Sequence, residues 1–283
     1  MPPPLSTPLR SALRLSALTV AGVNAAGFAV TAATHTHAVT DLAGTSAFVA
    51  SAWATHAAAA AAGGVGLFAP TRGFALTAVV TAWGVRLGGY LFSRVLRTGG
   101  DSRLDPFFPR KKGDLPLKLA GFWLAQAAWG WLCMLPVTAA HALLPPRTRV
   151  GPGAALALAA AAGALGVQAA ADSQKAAWKK EGGQGPLMTG KLFGAVQYPN
   201  YAAEVAFWTA VTAAAGPAVV AAAPAVLASP AASALLLSKV SGVPPLERDR
   251  RRRYGGSPAY RAYAESTPRM LPRWAGGRGP GPW

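Results

Sequence analysis

The chain of 283 residues is 52% hydrophobic, has a mean hydropathy of +0.29 and is only 13% charged, against roughly 25% in an ordinary soluble domain. That balance argues against a soluble globular enzyme and for a polytopic membrane protein. A net charge of +17 and a pI near 11.1 would also suit a nucleic-acid binder, but a basic face lying along anionic lipid accounts for both more simply, so the bilayer is the expected partner and nucleic acid is not.

Taken in chain order, residues 1–16 contain Pro, Ser, Leu and Arg but no acid, and Asp41 is the first acidic residue. Such a start resembles an organelle transit segment or serves as a short disordered lead. Apolar stretches of about 20 residues, the length that crosses a roughly 30 Å hydrocarbon core, are expected near 13–33, 46–69, 73–93, 119–143, 153–171, 202–216 and 218–240. The last two form one long helix or two short ones broken at Gly216-Pro217. The predicted fold class is therefore all-α, a membrane helical bundle of about seven transmembrane helices. It forms a single domain over 17–274, ahead of a Gly- and Pro-rich disordered tail at 275–283.

Within these spans most marked residues read as packing. His35 and His37 are two apart, which does not suit a helix face, and no metal site is expected from them. Gly84 and Gly88 permit close helix approach. Trp123, Trp129 and Trp131 are interface and packing aromatics. Cys133 is the only cysteine, which leaves no disulfide framework or zinc site to build.

Basic residues decide the number of spans. Short cytoplasmic loops hold the excess of Lys and Arg, and seven spans gather 21 of the 27 basic residues on one face and five on the other, with Arg86 inside a span. Six spans would carry the tail across and erase the asymmetry. The C-terminus is thereby expected on the cytoplasmic face of an organelle or endoplasmic reticulum membrane.

The link between the fifth and sixth spans is unlike a plain loop. Asp172 and Gln174 are expected to close an alanine-rich helix. Lys175, Trp178, Lys179 and Lys180 continue it with amphipathic spacing, and Gly182-Gly183-Gln184-Gly185-Pro186 stops it. Pro199 suits the first turn of the next helix, which would put Asn200, Tyr201 and Glu204 in that turn. Asn200 and Glu204, four apart, share a face. Free N–H groups and the positive helix end there favour an anion such as a phosphate; Glu204 serves equally as a partner of the helix dipole with no ligand.

Several motifs occur in fixed order: Trp83-Gly84-Val85-Arg86-Leu87 with Arg94 and Asp101-Ser102-Arg103; Asp172-Ser173-Gln174-Lys175; Tyr198-Pro199-Asn200-Tyr201-Ala202-Ala203-Glu204; the stretch from Leu237 to Glu247; and Tyr260-Arg261-Ala262-Tyr263 with Thr267-Pro268 and Leu271-Pro272. In this the chain resembles the DUF1295 family of multi-pass membrane proteins, related to the C-terminal domain of steroid 5-alpha-reductases, over roughly 75–274. The resemblance implies a fold like that of steroid 5-alpha-reductases and isoprenylcysteine methyltransferases. It also implies an oxidoreductase that uses NADPH to reduce a carbon–carbon double bond of a hydrophobic lipid or sterol-like substrate. On that pattern Asp172, Asn200 and Glu204 hydrogen-bond the cofactor and Lys179 meets a phosphate; Tyr198, Tyr201 and Glu247 complete the expected cofactor-binding set.

The departures are specific. No histidine stands at Pro244-Pro245-Leu246-Glu247-Arg248-Asp249, where the reductases carry a histidine-rich stretch. Residues 1–100 hold no Glu and no Tyr but Tyr90, so the enone-polarising Glu–Tyr pair has no counterpart and steroid specificity does not carry over. The candidate proton donors near the spans are Tyr90, Tyr198, Tyr201 and Glu247. An S-adenosylmethionine-dependent membrane methyltransferase and a non-catalytic protein of the same fold are the alternatives.

Overall fold

The computed structural model describes residues 6–36, 38–99, 107, 116–182 and 188–271. Several features of the sequence reading lie outside them: residues 1–5 of the lead, His37, Asp101-Ser102-Arg103, the glycine stop from Gly183 to Pro186, Pro272 and the tail 275–283. Among the described residues every regular element is a helix. They are α1 (Thr7–Thr34), α2 (Thr40–Ala62), α3 (Arg72–Thr98), α4 (Leu117–Leu143), α5 (Pro152–Lys180), α6 (Leu192–Ala195), α7 (Pro199–Ala215), α8 (Pro217–Ala222), α9 (Ala228–Leu235), α10 (Val243–Tyr254) and α11 (Pro258–Ser266).

The chain divides into two compact units, residues 1–158 with 211–229 and residues 159–210 with 230–283. In the first, α1 to α4 pack side by side. The buried positions of α1, Leu9, Ser16, Val20, Asn24, Gly27 and Thr31, fall three, four or seven apart and form one stripe along the helix. That stripe is bonded as well as packed: the Ser16 and Ser51 hydroxyls lie 2.8 Å apart, and Gln126 Nε2 donates to Asn24 Oδ1 at 3.0 Å. Small residues set how closely the helices approach. A Cβ on Gly27 would sit 2.4 Å from the Trp123 ring, and one on Gly84 2.5 Å from Val49. The Gly84/Gly88 pair thus faces α2 of its own chain.

The helix ends show an antiparallel order. At one end Arg94 pairs with Asp41 at 3.6 Å; at the other the Arg72 N–H donates to the Thr148 carbonyl at 2.7 Å. Between them lie two buried histidines that the sequence reading left without a role. His141 Nδ1 meets Thr55 Oγ1 at 2.8 Å while its Nε2 meets the Gly73 carbonyl at 3.1 Å, and His56 Nε2 donates to the Leu67 carbonyl at 2.8 Å. Each of these two buried rings thus has a hydrogen-bond partner.

Three expected boundaries change. Helix α1 starts at Thr7, so the described part of the 1–16 lead is helical, with Pro8 in its first turn, rather than disordered. Asp172 and Gln174 do not close α5 but lie inside it, because nothing from Asp172 to Lys180 breaks a helix; it ends at Lys180, and the chain leaves at Gly182 (φ 78°), where its stop was expected. The expected 218–240 span is segmented into α8, a 3₁₀ turn at Pro224–Leu227, α9 and a π turn at Leu236–Val240. Pro217 and Pro224 lack the N–H that would continue the helix, and Gly216 takes a φ of 99° that favours glycine.

Four helical stretches among the described residues are long and apolar enough to cross a membrane: Thr7–Thr34, Arg72–Arg97, Pro152–Lys180 and Pro224–Tyr254. The other expected spans correspond to α2 and α4, whose threonine, tryptophan and histidine residues lower their hydropathy, and to α7, which has 17 residues.

Candidate functional site

The second unit brings together two sequence segments about 70 residues apart. The N–H groups of Gln197 and Tyr198 donate to the carbonyls of Pro268 and Arg269 at 2.8 and 2.9 Å. The Gln197 side chain adds bonds from Nε2 to the Ala264 and Thr267 carbonyls at 3.1 and 2.6 Å, and Tyr263 Oη donates to the Phe193 carbonyl at 2.7 Å. The segment before α7 is thus stapled to α11 and the chain that follows it.

Helix α7 begins at Pro199, as its fixed φ predicts. Asn200 and Tyr201 occupy its first turn, but Glu204 stands one turn further on: the first turn holds no acid. Glu204 is buried, and its Oε1 accepts from Trp208 Nε1 at 2.9 Å, a pairing four residues apart along one face.

Tyr198 stands at the centre of the cluster. It is 2% exposed, its ring lies 5.8 Å from that of Tyr201 at 8° between planes, and the Arg250 guanidinium sits 4.5 Å above its ring centre, within cation–π range. Burial pushes the Tyr198 hydroxyl above its ordinary range, opposed by the charge of Arg250 and reinforced by Glu247. Tyr198 Oη and Arg250 Nη1 are both buried and without a hydrogen-bond partner among the described residues. Next to them Arg269 grips Glu247 with both arms of its guanidinium, Nε to Oε1 at 2.6 Å and Nη2 to Oε2 at 2.8 Å. That planar fork fixes α10 against the chain after α11.

Of the expected set, Tyr198, Tyr201 and Glu247 meet in this cluster. Asp172 and Lys179 are on α5 instead, half-buried and exposed respectively; seven residues apart, they share one face of that helix. Gln174 Oε1, on the same helix, accepts from the Leu192 N–H at 3.2 Å. Asn200 is half-buried at the start of α7. Gln197, Arg269 and above all Arg250 lie outside the expected set. A signal was there: at 3.6 residues per turn Arg250 falls on the face of Val243, Glu247 and Tyr254, not on that of Arg248 and Arg252.

Residues 27–267 match the family described as a protein of unknown function, DUF1295. The chain belongs to the DUF1295 family. No curated protein and no solved structure matches it. The DUF1295 match covers the motifs from Trp83 through Thr267, and together with the four apolar helical stretches it makes the chain a membrane protein. Among the described residues no group of three or more His, Cys, Asp or Glu could hold a metal ion.

Proposed function

We propose that this DUF1295 member is a multi-pass membrane oxidoreductase that binds NADPH at the Tyr198–Arg250 cluster and reduces a carbon–carbon double bond in a lipid or sterol-like substrate. The observation that carries the reading is the pair of buried atoms, Tyr198 Oη and Arg250 Nη1, that lack partners among the described residues. Both are donors, one of them on a permanent cation. Leaving buried donors unpaired costs about 1–3 kcal/mol each, and an anionic oxygen would satisfy them. Phosphate oxygens of a dinucleotide are such acceptors.

The residues present fit that cofactor type. Arg250, with Tyr198 beside it, would hold phosphate. Lys179 would meet a second anionic group, and Asp172 and Asn200 offer the carboxylate and amide that ribose hydroxyls and a carboxamide require. NADPH, when bound, supplies the hydride. The chain's own part is to bind, orient and keep water out: the stacked Tyr198 and Tyr201 rings give the cluster an apolar wall. The raised Tyr198 hydroxyl stays protonated at neutral pH, a donor and not a base.

Seven spans belong to the same reading. Helices α2 and α4, of 23 and 27 residues, are long enough at 1.5 Å per residue to cross a roughly 30 Å core. With α7 they raise four apolar stretches to seven and keep the basic residues together.

Thermal unfolding of the purified protein in detergent tests the function. NADPH is expected to raise the melting temperature. A rise with S-adenosylmethionine alone would make the protein a methyltransferase, and no response to either would make it a non-catalytic membrane protein of this fold.

A further inference from the structure

We infer that the outer face of α10 is a docking surface for anionic phospholipid headgroups, separate from the inward-facing Arg250. The helix has two sides. Val243, Glu247, Arg250 and Tyr254 face the unit: Val243 is buried, Glu247 holds Arg269, Arg250 covers Tyr198, and the Tyr254 ring lies 6.4 Å from that of Tyr260. On the other side Arg248, Arg251, Arg252 and Arg253 are all exposed. Asp249 holds two of them, Arg253 at 2.9 Å and Arg252 at 3.4 Å. On this side α10 itself carries four arginines and one carboxylate, so the helix surface is net cationic.

The chain before α10 says what meets that face. Leu235 and Val240 are 60 and 58% exposed, a row of two large apolar side chains on a stretch apolar enough to cross a membrane. Water is a poor neighbour for such a row and hydrocarbon a good one. Only Ser241 and Gly242 separate it from α10. Arg248 stands five residues past Val243 at the start of α10, about 7.5 Å along the helix axis. The headgroup layer is about 5–7 Å deep on each side of the hydrocarbon. The arginines therefore reach the level of the lipid phosphates, where a cationic face gains from anionic lipid. The geometry selects lipid over a free anion because the exposed apolar row and the exposed arginines follow one another on the same segment. The inference stands whether or not the protein binds NADPH.

The test uses the full chain in detergent micelles and labelled lipid. Wild type is expected to retain phosphatidylglycerol at least about tenfold better than phosphatidylcholine, with the preference falling as salt rises. The triple variant R248Q/R251Q/R252Q should lose the preference. The charge-preserving variant R248K/R251K/R252K should keep it, and so should R250Q. A preference that persists in the glutamine triple variant would overturn the proposal. So would displacement of phosphatidylglycerol by millimolar inorganic phosphate, which would show that the face reads a free anion and not lipid. Loss of the preference in the lysine variant as well would assign the arginines to folding.

Discussion

Arg250 lies with its guanidinium carbon 4.5 Å above the centre of the Tyr198 ring, while Arg253, three residues on, turns to Asp249 at 2.9 Å. Two arginines of one basic run therefore do different things. Of these two, only Arg250 carries a buried nitrogen without a partner among the described residues, so of the two only it has a reason to wait for an anion.

The first prediction separates them. Arg250→Gln should weaken NADPH binding by about 1.5–3 kcal/mol, the usual worth of a hydrogen bond to a charged group. Arg253→Gln should leave the affinity unchanged. Isothermal titration of both variants decides it; equal losses would show that general positive charge, not the buried position, attracts the cofactor.

Glu247 and Arg269 give a stability prediction. The pair is largely shielded, with side chains 17 and 33% exposed. Glu247→Gln strands a guanidinium whose two donors were satisfied, at an expected cost of about 1–3 kcal/mol. Thermal unfolding in detergent should show a clear drop, partly recovered by the exchange E247R/R269E. An unchanged melting temperature would free Glu247 for a purely ligand-binding role.

Packing in the first unit is tested at glycine. Gly27→Ala places a methyl carbon 2.4 Å from the Trp123 ring and 2.9 Å from Ala43, closer than carbon atoms approach, so the helices must shift. A loss of about 1–3 kcal/mol is expected from overpacking. Gly22→Ala, with nothing within 4 Å of the added atom, should be neutral or slightly stabilising, since alanine is the better helix former.

The Tyr263 hydroxyl sets a pH dependence. Burial, opposed by Arg250, pushes it from its ordinary value of 10 to about 12, and it donates to the Phe193 carbonyl at 2.7 Å. The folded state holds this proton more tightly than the unfolded chain does. Its contribution is therefore fully present below pH 10 and is lost as pH rises from 10 toward 12. Unfolding free energy measured across that window should fall, and Tyr263→Phe should flatten part of the fall. A slope identical in the variant would assign the alkaline loss to other groups.

The proposed seven spans would place the two termini on opposite faces, with the C-terminus on the side that holds 21 of the 27 basic residues. Accessibility tags at both ends should report opposite compartments; the same compartment would reduce the bundle to an even number of crossings.

How much of this was legible in the chain differs from element to element. The start of α7 at Pro199 and the break at Gly216-Pro217 were readable because proline and glycine constrain the backbone locally, whatever surrounds them. Asp172 and Gln174 do not close α5, since polar side chains suggest a helix end but do not impose one, whereas its stop at Gly182 was readable from the glycine. The place of Glu204 was read one turn early, and its Trp208 partner, although only four residues away, requires knowing which face is turned inward.

Composition, the spacing of apolar stretches and the ordered motifs by themselves determined that this is a helical membrane protein of the DUF1295 family, with its distinctive residues concentrated after residue 170. Those properties follow from summed hydropathy and local backbone preference, which a sequence records position by position. Only the tertiary structure decided that Gln197 staples the α7 start to the chain around Thr267, that Arg269 grips Glu247, and that one arginine of four in a row turns inward onto Tyr198. Each of these depends on which side of a helix is buried and on what arrives there from 20 to 70 residues away, and it is packing between distant segments that fixes both.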